Sequence, residues 1–430
     1  MTIKGKAFAE FAGDIQSGLG SFEVGDFEDL RTIGMAASLA VQLRGLPEID
    51  YSVLQQVSAA RFDIPTLSLK PVLRLLSEVG MVRLIESGKA ILRVDPQVPY
   101  FEDVYETIGS VSADFQFSET EQAMVRIMSE LFERPENKDR LLHRTGIEKG
   151  LMDRCLDIGE QSGLITSQRA RGRSILLSPI YFADNAHGLA DVIAKTGSDD
   201  FKIVMTLLSQ HQGWPLEMIL RQSAIAGQPL TALQVELLRM LAGDNMLKPP
   251  TIEIGSTSIP FLFTPRPGSA RLTAGKRDIY ERAMALLSAV RKGQLLPFAY
   301  PIRSPSRLLQ KFLDTGFLGS NTEAYRQYGK VAATHNIGYF EQTQPGWHRF
   351  VLRKTEENIE AVRTAIALAE GGGVSVDMRA DAEARALLQQ DDTYVRSALG
   401  AKKMKTRASI APSAAAQEQW EQLTLRLGNE

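Results

Sequence analysis

The chain has 430 residues, 44% hydrophobic and 23% charged, with a formal net charge of −2. That balance supplies enough apolar side chain for about two to four packed domains, and it excludes both wholesale disorder and a disulfide scaffold. Charge is unevenly spread: residues 1–130 hold 11 Lys/Arg against 19 Asp/Glu, a net of −8, and residues 266–311 hold 10 Lys/Arg against Asp278 and Glu281, a net of +8.

Taken in chain order, residues 1–27 are an N-terminal extension, and MTIKGKAFAEFAGDI lacks the apolar core and cleavage site of a secretory leader. No apolar run approaches the roughly 18 residues of a membrane span. Gly34–Leu43, GMAASLAVQL, is bounded by Arg31 and Arg44 and reads as a core helix. A cytoplasmic protein with no membrane partner is the expectation. From there one pattern recurs four times: helices of 3.6-residue apolar period, a Gly or Asn stop, a strand, a tight polar turn and a return strand. In the first copy LRTIGMAASLAVQLRG and YSVLQQVSAARFD precede the helix SLKPVLRLLSEVG, the strand MVRLIE, the turn Ser87-Gly88-Lys89 and the strand AILRVDP. In the second, SETEQAMVRIMSELF opens on a capping-box signal, with Glu121 three residues after Ser118; KDRLLHRTG and EKGLMDRCLDIGEQSG follow, then LITSQ, RARGR and SILLSPI. Cys155, the single cysteine, falls in this third helix beside Met152, Leu156 and Ile158 and is read as a buried thiol.

The third copy runs FKIVMTLLSQHQG, PLEMILRQSAIAG, TALQVELLRMLAGDN, MLKPPTIEI and SIPFLFTP, and Pro249, Pro250, Pro260 and Pro265 predict an irregular hairpin. The fourth runs ERAMALLSAVRKG, SRLLQKFLDTG, NTEAYRQYGKVAATHN, IGYFEQT, Gln344-Pro345-Gly346 and WHRFVLRKT. Residues 371–430 read as an appended helical, basic tail that includes Lys402, Lys403, Lys405, Arg407 and a last helix QEQWEQLTLRLG. Three helices followed by a hairpin resemble the winged-helix superfamily, a helix-turn-helix body with a β-hairpin wing, over residues 28–98, 118–185, 199–266 and 280–370. The fold class expected is therefore mostly α with small β-hairpins (α+β), a tandem array of about four such units with a helical tail.

The strongest functional signal is the turn of the second hairpin, where Arg169, Arg171 and Arg173 stand on alternate positions around Gly172; read as one face, they form a fork for phosphate oxygens or a minor groove. A solvated turn, or one that meets an acidic protein, carries the same residues. Third helices offer Lys70 and Arg74 with Ser68, Lys149 and Arg154 with Asp153, Gln234 with Glu236 and Arg239, and Arg326 and Lys330 with Gln327. The fourth hairpin interleaves Trp347, His348, Arg349, Arg353 and Lys354 with Tyr339 and Phe340, either a base-stacking surface or a core face. Lys276 and Arg277 belong to a basic segment with Arg266, Arg271, Arg282, Arg291, Lys292, Arg303 and Arg307, which faces either a phosphate backbone or the acidic N-terminal third.

Phosphate-loop, dinucleotide, zinc-protease, paired-cysteine and nucleophile-elbow motifs do not occur, and His143, His187, His211, His335 and His348 are dispersed. No catalytic residue, metal, cofactor or small-molecule substrate is predicted. The expectation is a non-enzymatic double-stranded DNA-binding protein, a transcriptional regulator or the DNA-engaging subunit of a larger assembly. A protein–protein scaffold in a multi-subunit complex is the alternative, with a winged-helix DNA glycosylase behind it. A protein partner or a homodimer through the C-terminal helices fits either binding role.

Overall fold

The computed structural model describes residues 3–20, 25–99, 104–182, 186–243, 251–254, 257–265, 274–295, 301–372 and 380–409. The fold is mostly helical with small antiparallel strand pairs. The chain divides into two compact units, one of residues 1–42 and 101–381, the other of residues 43–100 and 382–430. No helix of the described residues is long and apolar enough to cross a membrane.

In the first unit, the N-terminal extension forms α1 (Gly5–Leu19), whose Ala9, Ala12 and Ile15 are fully buried. The helix α2 (Glu28–Leu43) approaches it at Gly34, where a Cβ would overlap the Ala12 carbonyl oxygen, so only glycine permits the crossing. This apolar stretch is a core helix, as its composition predicts.

The rest of the first repeat lies in the second unit. Here β1 (Ile49–Asp50), α3 (Tyr51–Arg61), α4 (Leu69–Glu78), β2 (Val82–Ser87) and β3 (Ala90–Pro96) follow in order, and β3 is paired on both sides, giving β1-β3-β2. Leu69, Val72, Leu73 and Leu76 of α4 recur at helical spacing and are all fully buried, which is the packing that fixes this helix.

Back in the first unit, α5 (Val104–Val111) packs on α1. The second repeat then runs α6 (Glu119–Glu133), β4 (Glu136–Asn137), α7 (Lys138–Thr145), α8 (Lys149–Ser162), β5 (Thr166–Ala170) and β6 (Arg173–Leu177), with strand order β4-β6-β5. The Ser118–Glu121 capping box forms in both directions, at 2.8 and 3.1 Å. Glu121 also accepts the Leu30 backbone N–H at 2.8 Å, tying α6 to α2. Cys155 is buried, and burial pushes its thiol up to about 12.

A helix α9 (Ala186–Thr196) leads into the third repeat: α10 (Ser198–Gln210), β7 (Trp214–Pro215), α11 (Leu216–Gln222), a small ribbon of β8 (Ala224–Ile225) and β9 (Gln228–Pro229), α12 (Ala232–Gly243), β10 (Thr251–Ile254) and β11 (Thr257–Leu262). Over its described residues the hairpin expected to be irregular pairs regularly. β10 and β11 pair in continuous register from Thr251↔Pro260 to Ile254↔Thr257. Pro265 follows β11, Pro260 sits opposite the first residue of β10, and Pro249 and Pro250 lie outside the described residues, as do Gly255 and Ser256 of the turn. Phe261 and Leu262 pair in turn with β7, so the third repeat repeats the three-stranded arrangement of the first two.

The fourth repeat differs. The long α13 (Ala274–Leu295) is followed by α14 (Pro305–Thr315), α15 (Ala324–His335), β12 (Gly338–Gln344), β13 (Trp347–Leu352) and a closing helix α16 (Glu356–Ala369). In the first three repeats the extra partner of the return strand precedes the second helix. Here it comes after α14, through the bridges Phe317↔Val351 and Asn321↔His348. A stack of rings fills the core, with Phe350 5.5 Å from Phe312 and 5.1 Å from Tyr328.

The described part of the C-terminal segment returns to the second unit as α17 (Ala382–Leu387) and α18 (Asp392–Ser409), with Val395 and Ala384 fully buried and α18 packed along α3. The basic stretch from Lys402 to Arg407 is helical, within α18. The expected last helix lies outside the described residues, as do residues 373–379.

Candidate nucleic-acid interface

The arginine turn of the second repeat is a two-residue connection, Arg171-Gly172, both with left-handed φ (49° and 76°). Because the chain reverses there, alternation along the sequence does not carry across it. Arg169 pairs with Ser174, and Arg173 with Ala170, so Arg169 and Arg173 stand on opposite faces of the ribbon. The three-guanidinium fork on one face is corrected on that ground. Arg171, moreover, makes a two-point bond to Asp191 on α9, Nε to Oδ1 at 2.9 Å and Nη2 to Oδ2 at 3.1 Å, and this pairing holds the Asp191 carboxyl below the usual carboxylate range.

Other cations of the first two repeats are engaged in the same way. On α8, Arg154 donates to Asp26 from Nε at 2.8 Å and Nη2 at 2.5 Å, while Lys149 is exposed on a surface shared with Glu148, Asp157 and Glu160. In the second unit Arg74 pairs with Glu86 at 3.0 Å, Arg83 with Asp95 at 2.7 Å and Arg93 with Glu48 at 2.7 Å, leaving Lys70 exposed on α4. A guanidinium already bonded to a carboxylate must surrender that bond to reach a phosphate, which lowers the net gain.

The basic segment also divides. Lys276 and Arg277 open α13, with Arg277 exposed; Arg266 and Arg271 lie outside the described residues. Arg291 and Lys292 are not part of any positive face: both are buried. Arg291 donates to the Gln212 carbonyl at 3.0 Å and to Gln294 at 2.6 Å, and its burial pushes it down to about 10. Lys292 donates to the Arg326 carbonyl at 2.6 Å. Two third-helix amides are buried as well. Gln234 forms a cap with Thr231 and donates to Asp200, and Gln327 donates to the Ala289 carbonyl. Their apolar neighbours place each on the core side of its helix, a phase that one or two residues of sequence reading misjudge.

The fourth repeat retains its charge at the surface. Residues 301–355 hold eight Lys/Arg against Asp314, Glu323 and Glu341, a net of +5. Arg303, Arg307 and Lys311 are exposed on and just before α14, and Arg326 and Lys330 on α15, one turn apart. Arg326 meets Glu323 at 3.5 Å with most of its side chain in solvent. On the hairpin, Tyr339, Glu341, Arg349 and Val351 share one face by register, and Phe340 and Phe350 the other. The aromatics are therefore divided: Phe350 and Phe340 face the core, whereas Tyr339 and Trp347 are exposed. Arg353 lies 5.7 Å from the Tyr339 ring, and Arg349 lies 4.8 Å over Phe317 while paired to Glu341 at 2.8 Å.

Tyr325, which no sequence motif singled out, joins the first turn of α15 to the hairpin. Its exposed ring sits 4.2 Å from Phe340 and 4.4 Å from His348. The pointer available in the sequence was an aromatic beside Arg326 at a helix start. Together these residues make a surface of guanidinium and ammonium groups interleaved with ring faces, able to hold a polyanion and to stack on planar groups. Among the described residues no cluster of His, Cys, Asp and Glu has the makings of a metal site.

Comparison of the chain with protein-family models, curated proteins and solved structures gives no match.

Proposed function

We propose that the four repeats are winged-helix units and that the protein is a cytoplasmic, non-enzymatic binder of double-stranded DNA, a transcriptional regulator or the DNA-engaging subunit of a larger assembly. The fourth repeat is the principal contact. What carries this reading is the contrast in cation pairing: Arg74, Arg83, Arg93, Arg154 and Arg171 of the first two repeats are held by neighbouring carboxylates, while the fourth exposes Arg303, Arg307, Lys311, Arg353 and Lys354, with Arg353 5.7 Å from the Tyr339 ring. Unspent positive charge is what counterion release from a duplex rewards. The order of three helices and a hairpin in each repeat supports the superfamily reading.

Binding of labelled duplex across a salt series tests it, with one variant carrying Arg307→Ala, Lys311→Ala, Arg353→Ala and Lys354→Ala and a second carrying Arg169→Ala, Arg171→Ala and Arg173→Ala. The first variant is expected to weaken binding and to flatten the salt dependence, by about one unit of slope for each phosphate it no longer neutralises. The second is expected to bind nearly as the parent does. No binding at low salt, or binding indifferent to the first variant, would overturn the proposal. The scaffold reading would then take its place, favoured by one observation in the second unit: Leu67 is 90% exposed just ahead of α4, beside a hairpin whose Leu92 is also in solvent.

A further inference from the structure

Within the first unit a cavity of about 350 Å³ opens among the second, third and fourth repeats. Its walls are aromatic: Phe132 at the end of α6, Tyr181 and Phe182 after β6, and Tyr280 on α13. Met205 and Ser209 of α10 and the backbone of Gly371 and Gly372 after α16 complete it. The volume falls in the range of small-molecule sites, roughly 300–1,000 Å³, which are lined by apolar and ring side chains with a few polar groups. Phe132 is 44% exposed at this opening, its ring set edge to face with Tyr181 at 5.0 Å and with Phe11 at 5.9 Å.

The polar groups around it define the ligand's charge. Lys202 and Glu133 line the cavity and form an ion pair with each other, so the site offers no uncompensated charge from that pair. Gln212 and Thr264 bond reciprocally, Gln212 Nε2 to Thr264 Oγ1 at 2.8 Å and Thr264 N to Gln212 Oε1 at 3.0 Å. The Tyr181 hydroxyl is turned away to Asp14 at 3.0 Å. The Ser209 hydroxyl donates to the Thr206 carbonyl at 2.8 Å and keeps its acceptor lone pairs. A charged ligand competes with Lys202 or Glu133 for a partner each already has, and its own charge is desolvated on entry, whereas a neutral ring with one N–H or O–H meets ring faces and an acceptor.

We propose that this cavity is a binding site for an uncharged, planar, mono- or bicyclic heteroaromatic molecule with a hydrogen-bond donor at one edge. Such a ligand touches the second, third and fourth repeats at once and stabilises the folded first unit by mass action. This holds whether or not the protein binds DNA.

Ligand-observed NMR on the full chain tests it, with indole and 2-quinolone as neutral donor-bearing probes and benzoate and benzamidine as charged controls. Indole and 2-quinolone are expected to bind with Kd below about 1 mM, at least tenfold tighter than either control, and to raise the melting temperature. Ser209→Trp fills the cavity and is expected to abolish both effects; should that variant melt early, Thr206→Trp, from an exposed position on the same rim, serves in its place. Failure of both neutral probes to bind at millimolar concentration, equal binding of a charged control, or retention of binding in a folded filled-cavity variant would overturn the proposal.

Discussion

His211 and His335 are both held toward their neutral forms. For His211 the cause is burial, aided by the Arg291 guanidinium; for His335 it is burial, with Arg282 and Lys330 in support and Asp278 and Glu281 opposed. A histidine whose folded value lies below its ordinary 6.5 contributes stability that is fully present above that pH and is lost as pH falls through the folded value. Thermal unfolding should therefore show a melting temperature that declines as pH is lowered from about 7.5 to 5.5, and the double variant His211→Gln, His335→Gln should flatten the decline. A second residue-scale expectation concerns the second repeat. Glu136 is 1% exposed and Arg134 4%, and they meet at 3.6 Å; Arg134 also bonds Glu130 and Asp199 at 3.1 Å, and Ser198 donates to Glu136 at 2.7 Å. Arg144 and Arg140 also reach Glu136, at 3.4 and 4.0 Å, so Arg134→Ala leaves Glu136 partnered and removes the Arg134 hydrogen bonds to Glu130 and Asp199; it should lower the urea-denaturation free energy by about 2 kcal/mol.

At the scale of elements, α1 and α2 cross with no room for a side chain at Gly34. Alanine in place of glycine within an exposed helix stabilises by about 1 kcal/mol; here Gly34→Ala should instead destabilise by about 2 kcal/mol, measured by denaturant unfolding. Much of this layer was legible in the sequence. The apolar spacing of Leu69, Val72, Leu73 and Leu76 and the Ser118/Glu121 cap are local signals, and α4 and α6 sit where they indicate. What escaped is whatever depends on distant chain. The face of Arg169 relative to Arg173 is set by a two-residue turn, the burial of Arg291 and Lys292 by acceptors 79 and 34 residues away, and the partner of Arg154 by Asp26 from before α2. The regular pairing of the third hairpin escaped for a different reason, because Pro260 stands at the end of its ladder rather than inside it.

On the scale of the whole molecule, the second unit is discontinuous: residues 43–100 are completed by the segment from 382 onward. Val395, Leu388 and Ala384 are buried, and α18 lies along α3. Truncation after Asp381 uncovers that face, and calorimetry of the shortened chain should show a lower melting temperature for the second unit, since each buried Val or Leu contributes about 1.5–3 kcal/mol. Where the chain leaves and re-enters the first unit, the Asp381 backbone N–H donates to Gln42 Oε1 at 2.8 Å, so the two crossing points are pinned together. This arrangement has a consequence for biosynthesis. A ribosome delivers α3, α4 and their hairpin early, yet the helices that cover α3 emerge only after some 280 further residues, those of 101–381, have been made. During that interval, tens of seconds at about 5–20 residues per second, the apolar side of α3 waits for its cover, and the first repeat to be translated is the last to be finished.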